Sequence, residues 1–179
     1  MGHRILFLSD DPRAVRSQLD GADLALEQAQ PLREQISTDE ITPAWVCFYY
    51  DERLGDYVYL GVRSGGEFPI RRGDVRAGGF VASVSGARRG KGSSREASVV
   101  AELAAGIRLA IAPSFERIYE QNCLNLGLLT TTDFGWIDRL RAGERPDPRE
   151  FATGRDPLAA EVIRAGGLFG LTRRRGSLR

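Results

Sequence analysis

The chain has 179 residues and a formal net charge of +1, from 25 Lys and Arg against 24 Asp and Glu. This length suits one domain with a hydrophobic core, and the near-neutral charge argues against a general attraction to nucleic acid or to an anionic membrane. Two cysteines and one histidine are too few for a disulfide framework or a self-contained zinc or iron–sulfur site, so any metal must come from a partner. No apolar stretch approaches the ~20 residues of a membrane-spanning helix, and the first residues lack the apolar core of a secretory signal. We therefore expect a cytoplasmic protein.

The first part of the chain predicts a strand, a helix and a hairpin. Residues 4–9 form a short apolar run with strand character, and Asp11 before a proline predicts a capped helix over residues 12–19. The β-forming aromatics of residues 45–60 surround a polar stretch at 51–56. This pattern predicts two strands joined by a loop.

The middle of the chain alternates strands with helices. The predicted elements are a strand at 79–85, a helix in the Ala-rich run 97–109, a strand at 108–113, and a helix at 114–122 with Ser114 as its cap. This alternation is typical of an α/β fold.

The C-terminal region has a different composition. Dense charge and several prolines over residues 138–157 predict an exposed excursion, which is followed by a short helix near 158–165. Residues 172–179 are rich in arginine and predict a flexible basic tail.

The most informative segment is residues 90–98, Gly-Lys-Gly-Ser-Ser-Arg-Glu-Ala-Ser. Glycines permit close approach to a ligand, and the helix that follows would offer free N–H groups to an anion. Arg95 could bind a planar carboxylate through two parallel hydrogen bonds. The alternative is structural: Ser93 or Ser94 caps the helix, with Glu96 in its first turn. A nucleotide-binding P-loop is disfavoured, because only three residues separate Gly86 from the next glycine and no hydroxyl residue follows the lysine.

Three motifs, in this order, carry a resemblance to a known family. They are Ser-Thr-Asp-Glu-Ile-Thr-Pro at 37–43, Gly-Lys-Gly-Ser-Ser-Arg-Glu at 90–96, and Ile-Ala-Pro-Ser-Phe-Glu-Arg-Ile-Tyr-Glu-Gln-Asn at 111–122 with Gly-Leu-Leu at 127–129. Together they resemble the swivel domain of the aconitase superfamily, and they are most similar to small subunits of isopropylmalate isomerase (3-isopropylmalate dehydratase) and related hydro-lyases. The likeness covers residues 33–132.

The resemblance implies a fold and a division of the chain. It implies an α/β protein with a compact swivelling β/β/α domain of the small-subunit type. We expect residues 1–179 to form a single swivel domain with a core at about 33–132. Residues 1–32 would then be a strand–helix extension, and residues 133–179 a C-terminal excursion and basic tail. Either these flanks decorate the domain, or the chain corresponds to the swivel half of a larger polypeptide.

The resemblance also implies an activity that this chain completes but does not perform alone. In the family, a 2-hydroxy di- or tricarboxylate is dehydrated to an alkene and rehydrated, between the swivel domain and a large catalytic subunit or domain. That partner carries an iron–sulfur (4Fe–4S) cluster, which acts as a Lewis acid on the hydroxyl and a carboxylate. We expect this chain to bind no cluster, no nucleic acid and no membrane. A non-catalytic RNA-binding or regulatory relative is the alternative function.

Five residues receive roles from the resemblance. Ser93 matches the family's catalytic serine, whose alkoxide takes the proton from the carbon next to a carboxylate. Arg95 matches the arginine that binds a substrate carboxylate, and Ser94 matches the neighbour that shapes this site. Asp39 matches the aspartate of the Thr-Asp motif, with Thr42 at the site-lining position three residues later, and the resemblance implies that both bind substrate together with Ser94 and Arg95. For Asp39 an Asx-turn or a helix cap is the structural alternative.

Two departures from the family pattern bear on specificity. Lys91 replaces a cysteine that many small subunits carry, and with Arg88 and Arg89 it predicts a basic rim. This rim would either bind an extra anionic group of the substrate or face acidic groups of the partner. The aromatic residues 45–59 follow the Thr-Asp motif where relatives place a substrate-selective loop, so they either contact the substrate or form a structural face.

Overall fold

The computed structural model describes residues 2–176, in which four parallel strands form one sheet. The strands are β1 (Arg4–Phe7), β2 (Phe80–Val84), β3 (Leu109–Ile111) and β4 (Leu129–Thr131), in the spatial order β1-β2-β3-β4. Their last residues are in register, since Phe7 pairs with Val84, Val84 with Ile111, and Ile111 with Thr131. The loops that follow these strands therefore meet at one edge of the sheet.

Helices connect and flank the strands. They are α1 (Pro12–Leu19), α2 (Thr38–Ile41), α3 (Asp74–Gly78), α4 (Glu96–Ala104), α5 (Arg117–Leu126), α6 (Trp136–Arg141), α7 (Pro148–Phe151), α8 (Pro157–Ala165) and α9 (Leu168–Arg175). The start of α1 is as predicted, because the Asp11 side chain accepts a hydrogen bond from the Arg13 N–H and a proline occupies the first turn. The alternation of parallel strands and helices confirms the α/β fold.

Apolar side chains pack on both faces of the sheet. Successive residues of a strand point to opposite faces, and accordingly Leu6 packs in one buried cluster while Ile5 and Phe7 pack in the other. Strand β3 divides in the same way, with Ala110 on the first face and its two neighbours on the second. Both faces are covered, as is usual for a parallel sheet.

The flanks of the predicted core contribute to this packing. Strand β1 is an edge strand that pairs with β2, and Trp136, Ile137 and Leu140 of α6 are buried in one cluster with Ile5 and Phe7. Residues 138–157 are largely exposed, as predicted, but the buried Leu140 and Ala152 attach this stretch to the core. Apolar residues spaced three and four apart, which the surrounding charges obscured, place one face of α6 in the core. We propose that the chain folds as one swivel domain.

The predicted hairpin at 45–60 is wrong. This segment forms short 3-10 turns at Ala44–Val46 and Glu52–Tyr57 and contains no strand. The backbone at Gly55 lies so close to Ala104 of α4 that a Cβ added at Gly55 would overlap the Ala104 carbonyl carbon. Tertiary packing on α4 has overridden the β preference of the aromatic residues.

Three helix ends differ from the prediction. Helix α4 stops at Ala104 rather than continuing to 109, because Gly106 adopts a left-handed conformation with φ of +105°. Helix α5 begins at Arg117, and the Ser114 hydroxyl accepts a hydrogen bond from the Arg88 N–H instead of capping a helix. The predicted flexible tail is helical through Arg175, and residues 177–179 lie outside the described residues.

Over residues 2–176, the helices are too short or too polar to cross a membrane.

Candidate functional site

The glycine loop (residues 86–95) follows β2 at the carboxyl edge of the sheet and leads into α4. Main-chain hydrogen bonds join it to the segment that contains the Thr-Asp motif. The N–H groups of Gly90 and Lys91 donate to the Ile36 carbonyl at 2.8 and 3.0 Å, and the Thr38 N–H donates to the Lys91 carbonyl at 2.9 Å. The Thr38 hydroxyl also donates to the Ser93 carbonyl at 2.9 Å. Two motifs that are distant in sequence thus form one surface.

Within the part of the chain that the structure describes, the guanidinium of Arg95 is hydrogen-bonded to the protein through only one of its three nitrogens. Its Nη1 donates to the Asp39 carboxylate and, at 3.4 Å, to the Thr42 carbonyl. Among the described residues, none accepts a hydrogen bond from Nε or Nη2 of Arg95. These two nitrogens form the edge of a guanidinium that can bind one carboxylate through parallel hydrogen bonds. Arg95 is therefore fixed at one edge and available to a ligand at the other.

Ser93 and Ser94 are exposed beside this arginine. The N-cap residue of α4 is Arg95 itself, and no side chain caps the helix. The structural alternative, in which a serine of this loop caps α4, is therefore wrong. Within residues 2–176, neither serine hydroxyl has a hydrogen-bond partner, so both are available for chemistry or ligand binding.

Asp39 and Thr42 contribute through their contact with Arg95. Ser37, not Asp39, is the N-cap of α2, in a reciprocal capping arrangement with Glu40. The Asp39 side chain is 60% exposed and reaches Arg95. Thr42 is fully buried, and its hydroxyl has no partner among the described residues. Only its carbonyl oxygen faces Arg95.

The predicted basic rim is wrong for Arg89. Lys91 is exposed and its Nζ donates to the Gln35 side chain at 3.0 Å, and Arg88 is exposed and pairs with Glu116 at 2.9 Å. Arg89, in contrast, is fully buried and forms an ion pair with Glu102, which is also fully buried. An Arg-Arg doublet is typical of a charged surface, so the sequence interpretation missed this pair. The available signal was Glu102 itself, which lies among the apolar residues of α4 that face the core.

The aromatic segment has a buried part and an exposed part. Tyr57 and Tyr59 belong to the core, whereas Trp45, Phe48 and Tyr50 are exposed. The Tyr50 hydroxyl donates to Glu96 at 3.0 Å, and burial together with this contact raises the pKa of Tyr50. A cavity of about 470 Å³ lies between the segment and the site, lined by Ala44, Cys47, Tyr50, Ser94, Arg95, Glu96 and Ala97. Only the part before residue 51 borders the site.

The comparisons with known proteins identify the family of the chain. The Aconitase C-terminal domain family matches residues 75–133, a range that contains the glycine loop. A 3-isopropylmalate dehydratase small subunit from Desulfovibrio desulfuricans is 30% identical over 163 residues, which are 83% of this chain and 94% of that subunit. Small subunit 1 of Methanopyrus kandleri is 33% identical over 171 residues, which are 86% of this chain and 95% of that subunit. The chain belongs to the family of 3-isopropylmalate dehydratase small subunits.

A solved structure from this family has the same fold. The crystal structure of 3-isopropylmalate dehydratase from Methanocaldococcus jannaschii matches with a TM-score of 0.57 and 24% identity, over 81% of this chain and 90% of that one. The similarity to small subunits also extends well beyond the predicted limits of 33–132.

The described part of this small subunit does not offer a ligand set for an iron–sulfur cluster. Over residues 2–176, no group of three His, Cys, Asp or Glu side chains could hold a metal ion. Cys47 is half-buried in the cavity wall and Cys123 is fully buried in the core. Burial raises the pKa of Cys123 well above its usual value, so this thiol is neutral and inaccessible.

Proposed function

We propose that this chain is the swivel subunit of an aconitase-type hydro-lyase, and that it supplies a base and a carboxylate-binding arginine to an active site shared with a large catalytic partner. The proposal rests on the arrangement of one arginine and two serines. Arg95 is held by Asp39 with its Nε and Nη2 edge free, next to the serine hydroxyls of Ser93 and Ser94 that no described residue engages. The substrate class would be a small 2-hydroxy di- or tricarboxylate.

Arg95 would bind the carboxylate next to the carbon that loses its proton. Its contacts with Asp39 and the Thr42 carbonyl fix the orientation of the guanidinium before the substrate arrives. A fixed donor stabilises developing charge without having to reorient during the reaction. As the proton leaves the carbon, negative charge spreads onto the carboxylate, and the hydrogen bonds from Arg95 become stronger.

Ser93 would act as the base that takes this proton. A serine hydroxyl is a very weak acid, so its alkoxide requires nearby positive charge and hydrogen-bond donors. The residues that could supply them are Arg95, the exposed Lys91 and the N–H groups at the start of α4. During dehydration the proton would reside on Ser93 Oγ, and it would return to carbon on rehydration.

The partner and the cofactor are part of the same proposal. Because the described residues lack a ligand set for a cluster, we propose that the 4Fe–4S cluster belongs to the large catalytic subunit or domain. When bound there, the cluster would act as the Lewis acid that accepts the departing hydroxyl group, while the residues of this chain bind a carboxylate and take the proton. Similarity to dehydratase small subunits supports this function rather than an RNA-binding or regulatory one. A cytoplasmic location and the absence of nucleic-acid binding remain predictions.

Reconstitution with a large catalytic subunit of the same family tests the function. We expect the isolated chain to be inactive after anaerobic treatment with iron and sulfide, and the mixture with the partner to interconvert hydroxyacid and alkene. The rate should saturate as this chain is added to a fixed amount of partner. A stoichiometric cluster together with activity in the isolated chain would contradict the two-component proposal. Salt-sensitive RNA binding without hydro-lyase activity would favour the regulatory alternative.

A further inference from the structure

A polar cluster lies in the interior directly beneath the glycine loop, and the proposed function does not use it. We call it the buried Arg–Glu cluster, and it consists of Arg89, Glu102, Tyr59, Tyr119 and Ser83. All five residues are at most 1% exposed. A buried charge is costly unless it is paired and hydrogen-bonded. The cluster therefore needs an explanation beyond simple packing.

The carboxylate of Glu102 is fully satisfied. Tyr59 donates its hydroxyl hydrogen to one oxygen at 2.6 Å, and Tyr119 donates to the other oxygen at 2.6 Å. Arg89 contacts the first of these oxygens through Nη2. Burial is the main cause that raises the pKa of each tyrosine well above its usual value, so both phenols keep the hydrogen that they donate.

The guanidinium of Arg89 is also held from several directions. Its Nη2 lies 2.7 Å from the Ser83 hydroxyl and 2.7 Å from the Tyr59 hydroxyl, and its Nη1 donates to the Ser83 carbonyl at 3.3 Å. Its Nε also donates to the Tyr119 hydroxyl at 3.3 Å, so the partners come from β2, α4, α5 and the segment that precedes α3. One side chain of the glycine loop thus contacts four separate parts of the fold.

The position of the ion pair along the chain is significant. Arg89 lies before the serines, and Glu102 lies in the last part of α4, so the pair joins the two ends of the segment that carries Ser93 and Arg95. The main chain of Arg89 is fixed as well, by hydrogen bonds to the Ser114 carbonyl at 3.1 Å and from the Glu116 N–H at 2.8 Å. The exposed residues 91–94 therefore lie between two fixed points, and hydrogen bonds with Ile36 and Thr38 hold their main chain as well.

Stability alone does not account for this arrangement. Replacing a buried ion pair with apolar residues of similar volume is often neutral or stabilising. A pair with charge-assisted hydrogen bonds does, however, impose one geometry on the groups it joins, which apolar contacts impose less strictly. We propose that Arg89 and Glu102 are positioning residues, which hold the glycine loop so that the Ser93 hydroxyl and the free edge of Arg95 face the same substrate. This inference rests on the proposed function.

The test replaces both charges in the assembled enzyme. The variant Arg89→Met/Glu102→Leu removes the pair and approximately conserves volume, and Arg175→Met/Glu161→Leu is the matched control, since that ion pair is exposed and joins α9 to α8. We expect the first variant to remain folded and to bind the partner, with kcat at least about 10-fold lower, because small misplacements of catalytic groups are costly. Amide hydrogen exchange at Gly90 and Lys91 should become faster in the isolated subunit. The control variant should change neither kcat nor the exchange rates at Gly90 and Lys91.

The two readouts separate the possible outcomes. If the folded Arg89→Met/Glu102→Leu variant keeps both the kcat and the exchange rates of the wild type, the pair only fills the core and the inference is overturned. If the wild-type complex has no hydro-lyase activity, the proposed function fails, while the exchange rates in the isolated subunit still test whether the pair orders the loop. If the variant does not fold, Arg89→Lys keeps the positive charge but loses the planar group that contacts Ser83, Tyr59 and Glu102 from fixed directions. Unchanged kcat and exchange in that variant would equally overturn the inference.

Discussion

At the scale of single residues, Arg95 links most of the candidate site. The sequence assigns Asp39 and Arg95 separate substrate contacts, but in the structure they form an ion pair. We therefore propose that Asp39 acts on a substrate at least partly through the orientation of Arg95. Thr42 would act in the same indirect way, because its side chain is buried and only its carbonyl reaches the arginine.

Ser93 and Arg95 should show different kinetic defects when they are replaced in the complex. Ser93→Ala removes the base, so kcat should fall at least ~10²-fold. Stability and KM should change little, because the Ser93 hydroxyl makes no hydrogen bond within the described residues. Arg95→Lys keeps the charge but loses the paired donors, so KM should rise and kcat should also fall. Steady-state kinetics with saturating partner would measure both. If Ser93→Ala keeps kcat within about a factor of two, Ser93 is not the base.

At the scale of elements, the glycine loop is held where α5 approaches it. Gly90 has φ of +84°, and a Cβ added there would overlap the ring of Tyr119 in α5. Glycine is thus required at this position for two reasons, a left-handed backbone and the close approach of a ring. The same ring carries the hydroxyl that donates to Glu102, so packing and polar contacts fix the loop together.

A pair of glycine substitutions would separate these two effects. Gly66→Ala introduces a residue at φ of +87° with no atom within 4 Å of the new Cβ, so it should cost only the backbone strain, ~1 kcal/mol of unfolding free energy. Gly90→Ala adds a clash with Tyr119 and should cost at least ~2 kcal/mol more. Urea denaturation of the isolated subunit measures both values. Equal losses would show that the Tyr119 ring moves aside easily.

At the scale of the whole molecule, two buried clusters share one sheet. The strands contribute to both clusters, and α6 near the C-terminus packs against β1 near the N-terminus. Such packing predicts cooperative unfolding of the domain. The cavity that contains Cys47 is also lined by Arg95, and we propose that the partner and the substrate bind there.

The two cysteines provide a test of this cooperative structure. With a thiol reagent at neutral pH, Cys47 should react in the native subunit, and Cys123 should react only when the protein unfolds, since it is fully buried and its pKa is raised. In urea, the free energy of unfolding obtained from Cys123 labelling should equal the value obtained from circular dichroism. The Cys47→Ser variant is suited to this measurement, because Cys123 is then the only thiol that can react. Faster labelling of Cys123 would indicate local opening of α5.

The sequence by itself determined the features that depend on neighbouring residues or on fixed motifs. Strand β1, helix α1 with its Asp11 cap, strand β2 and the α/β class follow from local periodicity and capping. The family followed from three motifs in order, and the comparisons confirm it. Tertiary structure decided the features whose partners are distant in the chain. Asp39 and Arg95 are 56 residues apart, and the aromatic segment formed turns on α4 instead of a hairpin. Arg89 is buried rather than exposed because Glu102, Tyr59 and Tyr119 surround it. No local sequence pattern specifies such a set of partners.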